Sequence, residues 1–366
     1  MTPELRSGPP WIMDEMIKAQ VGLAGIAMPG AEEIAAAVAQ AADGRSPVVV
    51  TGCGTSEHGA LAVAEQISEA LRATGSSARA EPRQALDAAF DPREGGICIG
   101  VSHEGTTRAT VLALEAARAA GAITASIGAQ ADSPLAHGAD HALTTPLVDG
   151  SWCHTVAYTS AIQAGAAIAR AVAGGGADAG SAIPATLALR GRIDALAERV
   201  HGATRILAVG LGTDLITARE LALKIEEGAR IPATALHLES LLHGHLAGCD
   251  AGKTALVLFA ADPRPGQRRD WRLGCAAGAA GVIGIPTIAI GGEGALEGLP
   301  ESVGQLTVPQ AGQGEPVAHA LLTGAVALQL LTLALAQLEG VNPDLIRREQ
   351  APYREAAALA ENRADW

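Results

Sequence analysis

The chain has 366 residues, 48% of them hydrophobic but only 2% aromatic, and a formal net charge of -13. The length favours two or three units whose cores are filled by Ala, Leu, Val and Ile, and the acidic balance argues against a nucleic-acid partner, because phosphate-backbone binding needs a basic field. Small anions stay open, since a few backbone N–H groups and hydroxyls hold them locally.

The five cysteines, Cys53, Cys98, Cys153, Cys249 and Cys275, are odd in number and lack a short C-x-x-C spacing, which reads as free thiols in a reducing compartment. Met1 to Pro10 shows no basic segment leading into an apolar one, so a secreted protein is not expected; the expectation is a soluble, cytoplasmic chain with no membrane partner.

In chain order, residues 1–30 form an arm, with Ile12, Met13, Met16 and Ile17 at helical spacing between Trp11 and Met28. The first unit spans 31–180. It alternates strands near Val48–Val50, Ile97–Val101, Thr124–Ile127 and His141–Thr144 with helices such as Gly59–Ala73 and Arg108–Ala120, an alternation that predicts a parallel sheet covered by helices on both faces. Gly174 to Ser181 reads as a linker. A helix, Pro184–His201, opens the second unit, 181–340. Leu321 to Leu338 is just long and apolar enough to raise the membrane question, but Gln329 and Gln337 interrupt it and the unit needs a closing helix there. Gly340 to Pro343 then leads into a charged tail, 341–366, read as a helix or a mobile lid.

The two units are copies of one pattern. Pro47 to Ser56 (PVVVTGCGTS) returns 158 residues on as Arg205 to Asp214 (RILAVGLGTD), and Ile97 to Val101 answers to Ala255 to Phe259 at the same offset. Ser126-Ile127-Gly128 pairs with Ala289-Ile290-Gly291, and Leu143 to Pro146 with Leu306 to Pro309. In each copy an apolar run ends in Gly-x-Gly-Thr and opens onto a helix, so backbone N–H groups converge on one spot; such a turn reads equally as a ligand cradle or as plain turn geometry. Ser102-His103-Glu104-Gly105-Thr106-Thr107 follows a strand in the same way, and adjacent loops of this kind can clasp one ligand. Glu220, Lys224 and Glu227 fall on one helical face at i, i+4 and i+7, which by pattern alone suits a solvated stripe with one salt bridge. His237, His243 and His245 with Glu239 offer metal-ligand types, but no second cluster completes a site and no metal is assigned.

Gly52 to Ser56, Ser102 to Thr107, Asp132 to Ala136 and Ala139-Asp140 resemble the sugar isomerase (SIS) domain. The tandem arrangement, over roughly residues 10–345, resembles the isomerase half of glucosamine-6-phosphate synthase and related sugar-phosphate isomerases, deaminases and deglycases. That resemblance implies an α/β fold of two flavodoxin-like SIS units. It continues ungapped through Glu220 to Asp250, at Glu220, Ala222-Leu223-Lys224, Glu227, Ile231, Leu241, His243-Gly244, Leu246-Ala247 and Asp250. It implies Glu227 as the base that moves a proton between C1 and C2 of an open-chain sugar, Lys224 as the cation near the enediolate oxygens, and His243 as a ring-opening group delivered by the neighbouring subunit of a homodimer with interface active sites. The expected substrate-binding residues are Gly54, Thr55, Ser56, Ser102 and Thr107 on the turns the resemblance covers, together with His103, Glu104 and His154 where this chain departs from it, and no cofactor is expected. With the first unit reached about 30 residues from Met1, no glutaminase activity is expected.

Three departures qualify the resemblance. The second loop has Glu104 where relatives carry a phosphate-contacting hydroxyl. Like charges about 4 Å apart cost about 4 kcal/mol at an effective dielectric near 20, so a phosphosugar requires Glu104 to turn away, be protonated or pair with His103. Otherwise Glu104 accepts hydrogen bonds from sugar hydroxyls. Trp152-Cys153-His154-Thr155 replaces small and hydroxyl residues, leaving Trp152 either in the pocket or in the core. The tail offers Arg347, Arg348 and Arg354 but no lysine, the only lysines being Lys18, Lys224 and Lys253. The expected activity is aldose–ketose isomerisation or deamination of a sugar or amino-sugar derivative, with a non-catalytic sugar-binding regulator as the alternative.

Overall fold

The computed structural model describes residues 2–176, 178–309 and 315–360. Two five-stranded parallel sheets form its frame. The first contains β1 (Val48–Gly52), β2 (Ala80–Gln84), β3 (Ile97–Val101), β4 (Ile123–Gly128) and β5 (His141–Thr144) in the order β2-β1-β3-β4-β5. The second contains β6 (Arg205–Gly210), β7 (Ala233–His237), β8 (Thr254–Ala260), β9 (Thr287–Gly291) and β10 (Gly304–Thr307) in the order β10-β9-β8-β6-β7, which is the first order read from the other edge. Val48 pairs with Ile97 and Arg205 with Thr254, so the copies share register as well as order. This is the flavodoxin-like arrangement, whose ligand crevice opens where the strand order reverses, here between the ends of β1 and β3 and of β6 and β8.

The central strands β1, β3, β6, β8 and β9 are buried or nearly so along their length, as strands covered on both faces must be. Helices Thr55–Ala73 and Val156–Ala173 of the first unit pack on Thr213–Lys224 and Pro316–Leu338 of the second. One core cluster therefore runs from the arm (Met13, Ile17) through Tyr158 and Ile162 to Val257, Phe259 and Leu328. The helix Pro316–Leu338 is the one element among the described residues long and apolar enough to cross a membrane, and 89% of its most apolar window is buried inside the molecule. It is a core helix. Gln329, which interrupts the apolar run, receives Gln20 Nε2 at 2.6 Å and donates to the Thr155 carbonyl at 3.0 Å, so its buried amide is hydrogen-bonded on both sides.

The arm is helical over Ile12–Ala19, followed by a 3₁₀ turn at Gln20–Leu23. Its start is fixed from the far end of the chain: Asp344 accepts the backbone N–H of Ile12 at 2.9 Å and of Met13 at 2.7 Å, doing for Trp11 the capping its own side chain cannot do. The single helix expected at Pro184–His201 is two, Ala182–Leu187 and Arg190–Val200, separated by an i→i+3 turn at Leu189. Within the linker, Asp178 accepts from Gly25 N at 2.7 Å and from Gly180 N at 3.0 Å, tying it to the arm; Ala177 lies outside the described residues. The tail is helical over Ala351–Ala360 with no buried residue, and 361–366 lie outside the described residues. All five cysteines are free.

Candidate active site

The first turn is built by its glycines. A Cβ on Gly52 would stand 2.4 Å from the Ser56 carbonyl, and Gly54 has φ +57, where side chains are strained. The second copy repeats this, with 2.3 Å from Gly210 to the Asp214 carbonyl and φ +59 at Gly212. Thr55 and Ser56 therefore emerge half-buried in the first turn of the helix Thr55–Ala73. With Val101, His103, Gly128 and Thr145 they line a cavity of about 10 Å³, room for one water. Ser102 is buried and donates to Thr107 Oγ1 at 3.3 Å, while Glu104 and Thr107 are exposed at the loop's edge.

In the second unit the corresponding place is taken by the protein itself. Asp214, at the position of Ser56, crosses the crevice to accept the N–H of Ala261 at 2.8 Å and of Asp262 at 3.2 Å, residues at the positions of His103 and Glu104. Arg269 Nη1 closes on its other oxygen at 3.0 Å, and both side chains are buried. An internal carboxylate thus fills the anion cradle of the second copy. Only the first copy's turns present hydroxyls to a ligand.

The helix Thr213–Lys224 carries the charged face toward the first unit. Glu220 and Lys224 have no exposed side-chain surface, whereas Glu227 is 23% exposed. Lys224 Nζ hydrogen-bonds Glu227 and lies 3.7 Å from Glu220 Oε1. The helix loosens into a π-turn at Ile225–Ala229, a feature that recurs at functional sites. There a Cβ on Gly228 would lie 2.8 Å from Thr332 and 3.2 Å from the Cys153 thiol. Burial works against the Lys224 ammonium, but Glu227 and Glu220 outweigh it and hold it above its ordinary range. Burial pushes the Glu227 carboxyl up, opposed by Lys224, which moves a prospective base toward neutral pH. The spacing at i, i+4 and i+7 is thus no solvated stripe but a buried array. Because Lys224 has no open surface, it acts through Glu227 in this conformation and does not face a substrate oxygen directly.

The array meets the first unit through His58, a residue the sequence reading passed over. Its Nδ1 lies 2.6 Å from Glu220 Oε2. His58 sits three residues past Thr55, so the ligand turn is linked to the base candidate through His58, Glu220 and Lys224 in turn. The signal was available in the repeat, where His58 aligns with the apolar Ile216.

Between the units, Asp149 organises the loop that carries His154. Its carboxylate accepts the N–H of Thr155 at 2.7 Å, Ala157 at 3.1 Å and Ser151 at 3.2 Å, while its own N–H donates to His103 Nε2 at 2.8 Å. His103 is therefore a neutral acceptor, with burial holding its imidazole down at about 4 despite Glu104. His154, its ring centroid 5.5 Å from that of His103, is held down at about 3 by burial and by Lys224. Unfolding returns a histidine to about 6.5, so the stability that neutral His154 supplies is complete above that pH and is lost as pH falls toward 3. Asp149, pushed up to about 6 by burial, titrates in the opposite sense, so the histidine's part is read by difference. Denaturant unfolding should show the wild type losing about 3 kcal/mol relative to His154→Gln between pH 6.5 and 4, at about 1.4 kcal/mol per unit; parallel profiles would contradict it.

Other expected site residues lie elsewhere in the chain. His243 is 72% exposed and pairs with Glu239 at 3.1 Å, not with Lys224 or Glu227; Arg272 holds the same carboxylate. Among the described residues no group of three or more His, Cys, Asp or Glu is placed to hold a metal ion. His237 Nδ1 instead accepts the Glu239 N–H at 3.2 Å. Trp152 is neither in the pocket nor in the core: it is half-buried under Arg348, whose guanidinium carbon stands 4.8 Å from the ring centroid, and its backbone N–H donates to the Asp344 carbonyl.

Residues 45–173 match the family model of the SIS domain. The chain's first unit is a SIS domain. No curated protein sequence matches the chain, but solved structures do so along most of its length. The C-terminal domain of glucosamine-fructose-6-phosphate aminotransferase from Francisella tularensis has a TM-score of 0.76 at 18% identity, covering 92% of this chain and 98% of that one. Tagatose-6-phosphate ketose/aldose isomerase from Escherichia coli gives 0.72 at 17%, covering 94% and 97%. Glucosamine-6-phosphate deaminase from Thermotoga maritima gives 0.70 at 18%, covering 91% and 96%. At these identities the likeness is one of fold, and that fold is two flavodoxin-like units in tandem, each with its own parallel sheet.

Proposed function

We propose that this tandem SIS protein is a sugar isomerase or amino-sugar deaminase that moves a proton between C1 and C2 of an open-chain sugar or sugar phosphate. The observation that carries this reading is the Glu220–Lys224–Glu227 array: a buried ammonium is held between two carboxylates, of which only Glu227 opens to solvent. Abstracting a proton next to a carbonyl needs an ionised carboxylate, and the charge passed to the enediolate is then stabilised by the cation behind it. Thr55, Ser56 and Ser102 hold the other end of the sugar with the backbone N–H groups of the first turns. The reading includes a cytoplasmic homodimer in which His243 of a second copy completes the site, and a chain divided into an arm of 1–30, units of 31–180 and 181–340, and a tail of 341–366. Glu104 stands exposed on the phosphate-side loop, which favours a ligand offering hydroxyls there and keeps a sugar-binding regulator as the second reading.

A thermal-shift screen of hexoses, hexosamines and their 6-phosphates, followed by calorimetric titration and turnover assays of the hits, tests the proposal. The expected result is one ligand per chain, since Asp214 fills the second cradle, with turnover of the bound sugar. Binding without turnover would support the regulator, and two equivalent sites per chain would refute the assignment of the cradles.

A further inference from the structure

The buried array has a charge-sharing problem that His58 resolves. One ammonium, Lys224, lies between two carboxylates, and in apolar surroundings each carboxylate competes for it. Glu220 is the more deeply buried of the two, with no exposed side-chain surface. Its Oε1 receives no hydrogen bond and stands 3.7 Å from Lys224 Nζ, so it gets the weaker share of that cation. Its Oε2 is served by His58 Nδ1 at 2.6 Å. The hydroxyl of Tyr158, buried within the field of Glu220, makes no hydrogen bond and does not take over that task. His58 itself comes from the opposite unit, in the first turn of the helix that leaves the ligand-binding turn.

We propose that His58 is a positioning residue: by donating to Glu220 it frees Lys224 to hold Glu227, and so ties the arrangement of the base in the second unit to the sugar-binding turn of the first. This rests on Glu227 being the base. Without the imidazole donor, the Glu220 carboxylate is left buried with no hydrogen bond at all, the costliest state for such a group. The nearest available cation is Lys224, which swings from Glu227 toward Glu220, and the base loses the partner that keeps it ionised and oriented.

The test is a double-mutant cycle in the full-length chain. His58→Ala should lower kcat by about 10- to 100-fold, part of what a positioned base supplies, with KM changed only a few-fold. His58→Asn, which keeps an N–H donor, should recover most of that loss. Adding Glu220→Gln to His58→Ala removes the competing charge and should raise kcat again, so that the double variant is faster than His58→Ala alone. Thermal unfolding gives a readout independent of turnover: His58→Ala lowers Tm, and Glu220→Gln added to it restores Tm. A His58→Ala protein as fast as wild type, or a double variant no faster and no more stable than His58→Ala, overturns the proposal. If the Tm cycle shows coupling while Glu227→Gln leaves turnover intact, the charge arrangement stands and the assignment of the base fails.

Discussion

Replacing Glu227 by Gln should abolish turnover while leaving sugar affinity within a few-fold of wild type. Glutamine keeps the shape of the side chain and an oxygen for Lys224 to hydrogen-bond, but it cannot take a proton from carbon. A positioned general base supplies about 10²- to 10⁴-fold, so kcat should fall by at least that factor. Calorimetry on the same variant separates loss of chemistry from loss of binding. Turnover that survives the substitution would remove Glu227 as the base.

The second large effect is on the fold. Lys224→Met strips the ammonium from between Glu220 and Glu227, leaving Glu227 without its ion-pair partner and Glu220 with only the His58 contact. Breaking a buried ion pair from one side costs about 3–5 kcal/mol, a large fraction of a domain's stability. Denaturant unfolding should show a loss of that size, and adding Glu220→Gln and Glu227→Gln should return most of the stability without returning activity. A Lys224→Met protein within about 1 kcal/mol of wild type would mean that the array contributes little to folding.

Much of this was legible in the sequence, and the parts that were not share a physical reason. The glycine turns are dictated locally, by close approach at Gly52 and Gly210 and positive φ at Gly54 and Gly212, so the strand–turn–helix units and their repetition could be read directly. The edge strands β2 and β7 could not, although the edge strand β5 was read. β2 carries Glu81, Pro82 and Arg83 and is only partly buried, and β7 is Ala-rich and largely half-exposed; neither has the apolar run of a central strand, because an edge strand lacks a neighbour on one side.

The site divides in the same way. Glu220, Lys224 and Glu227 share a helix, so their spacing announced a common face. His58 is 162 residues from Glu220, and a partnership made only by the packing of two units leaves no periodicity in the chain. Trp152 met its partner, Arg348, for the same reason: the tail folds back over the loop that Asp149 organises. The neutral state of His103 and His154 follows from burial that no local pattern reveals.

The central claim is that Glu227 and the first unit's turns serve one ligand by moving a proton on carbon. Incubating the wild type and Glu227→Gln with a sugar selected by the binding screen in D₂O, and following deuterium at C2 by NMR, tests it most directly. The account predicts incorporation by the wild type and none by Glu227→Gln at equal ligand occupancy; incorporation by the variant at the wild-type rate would contradict it.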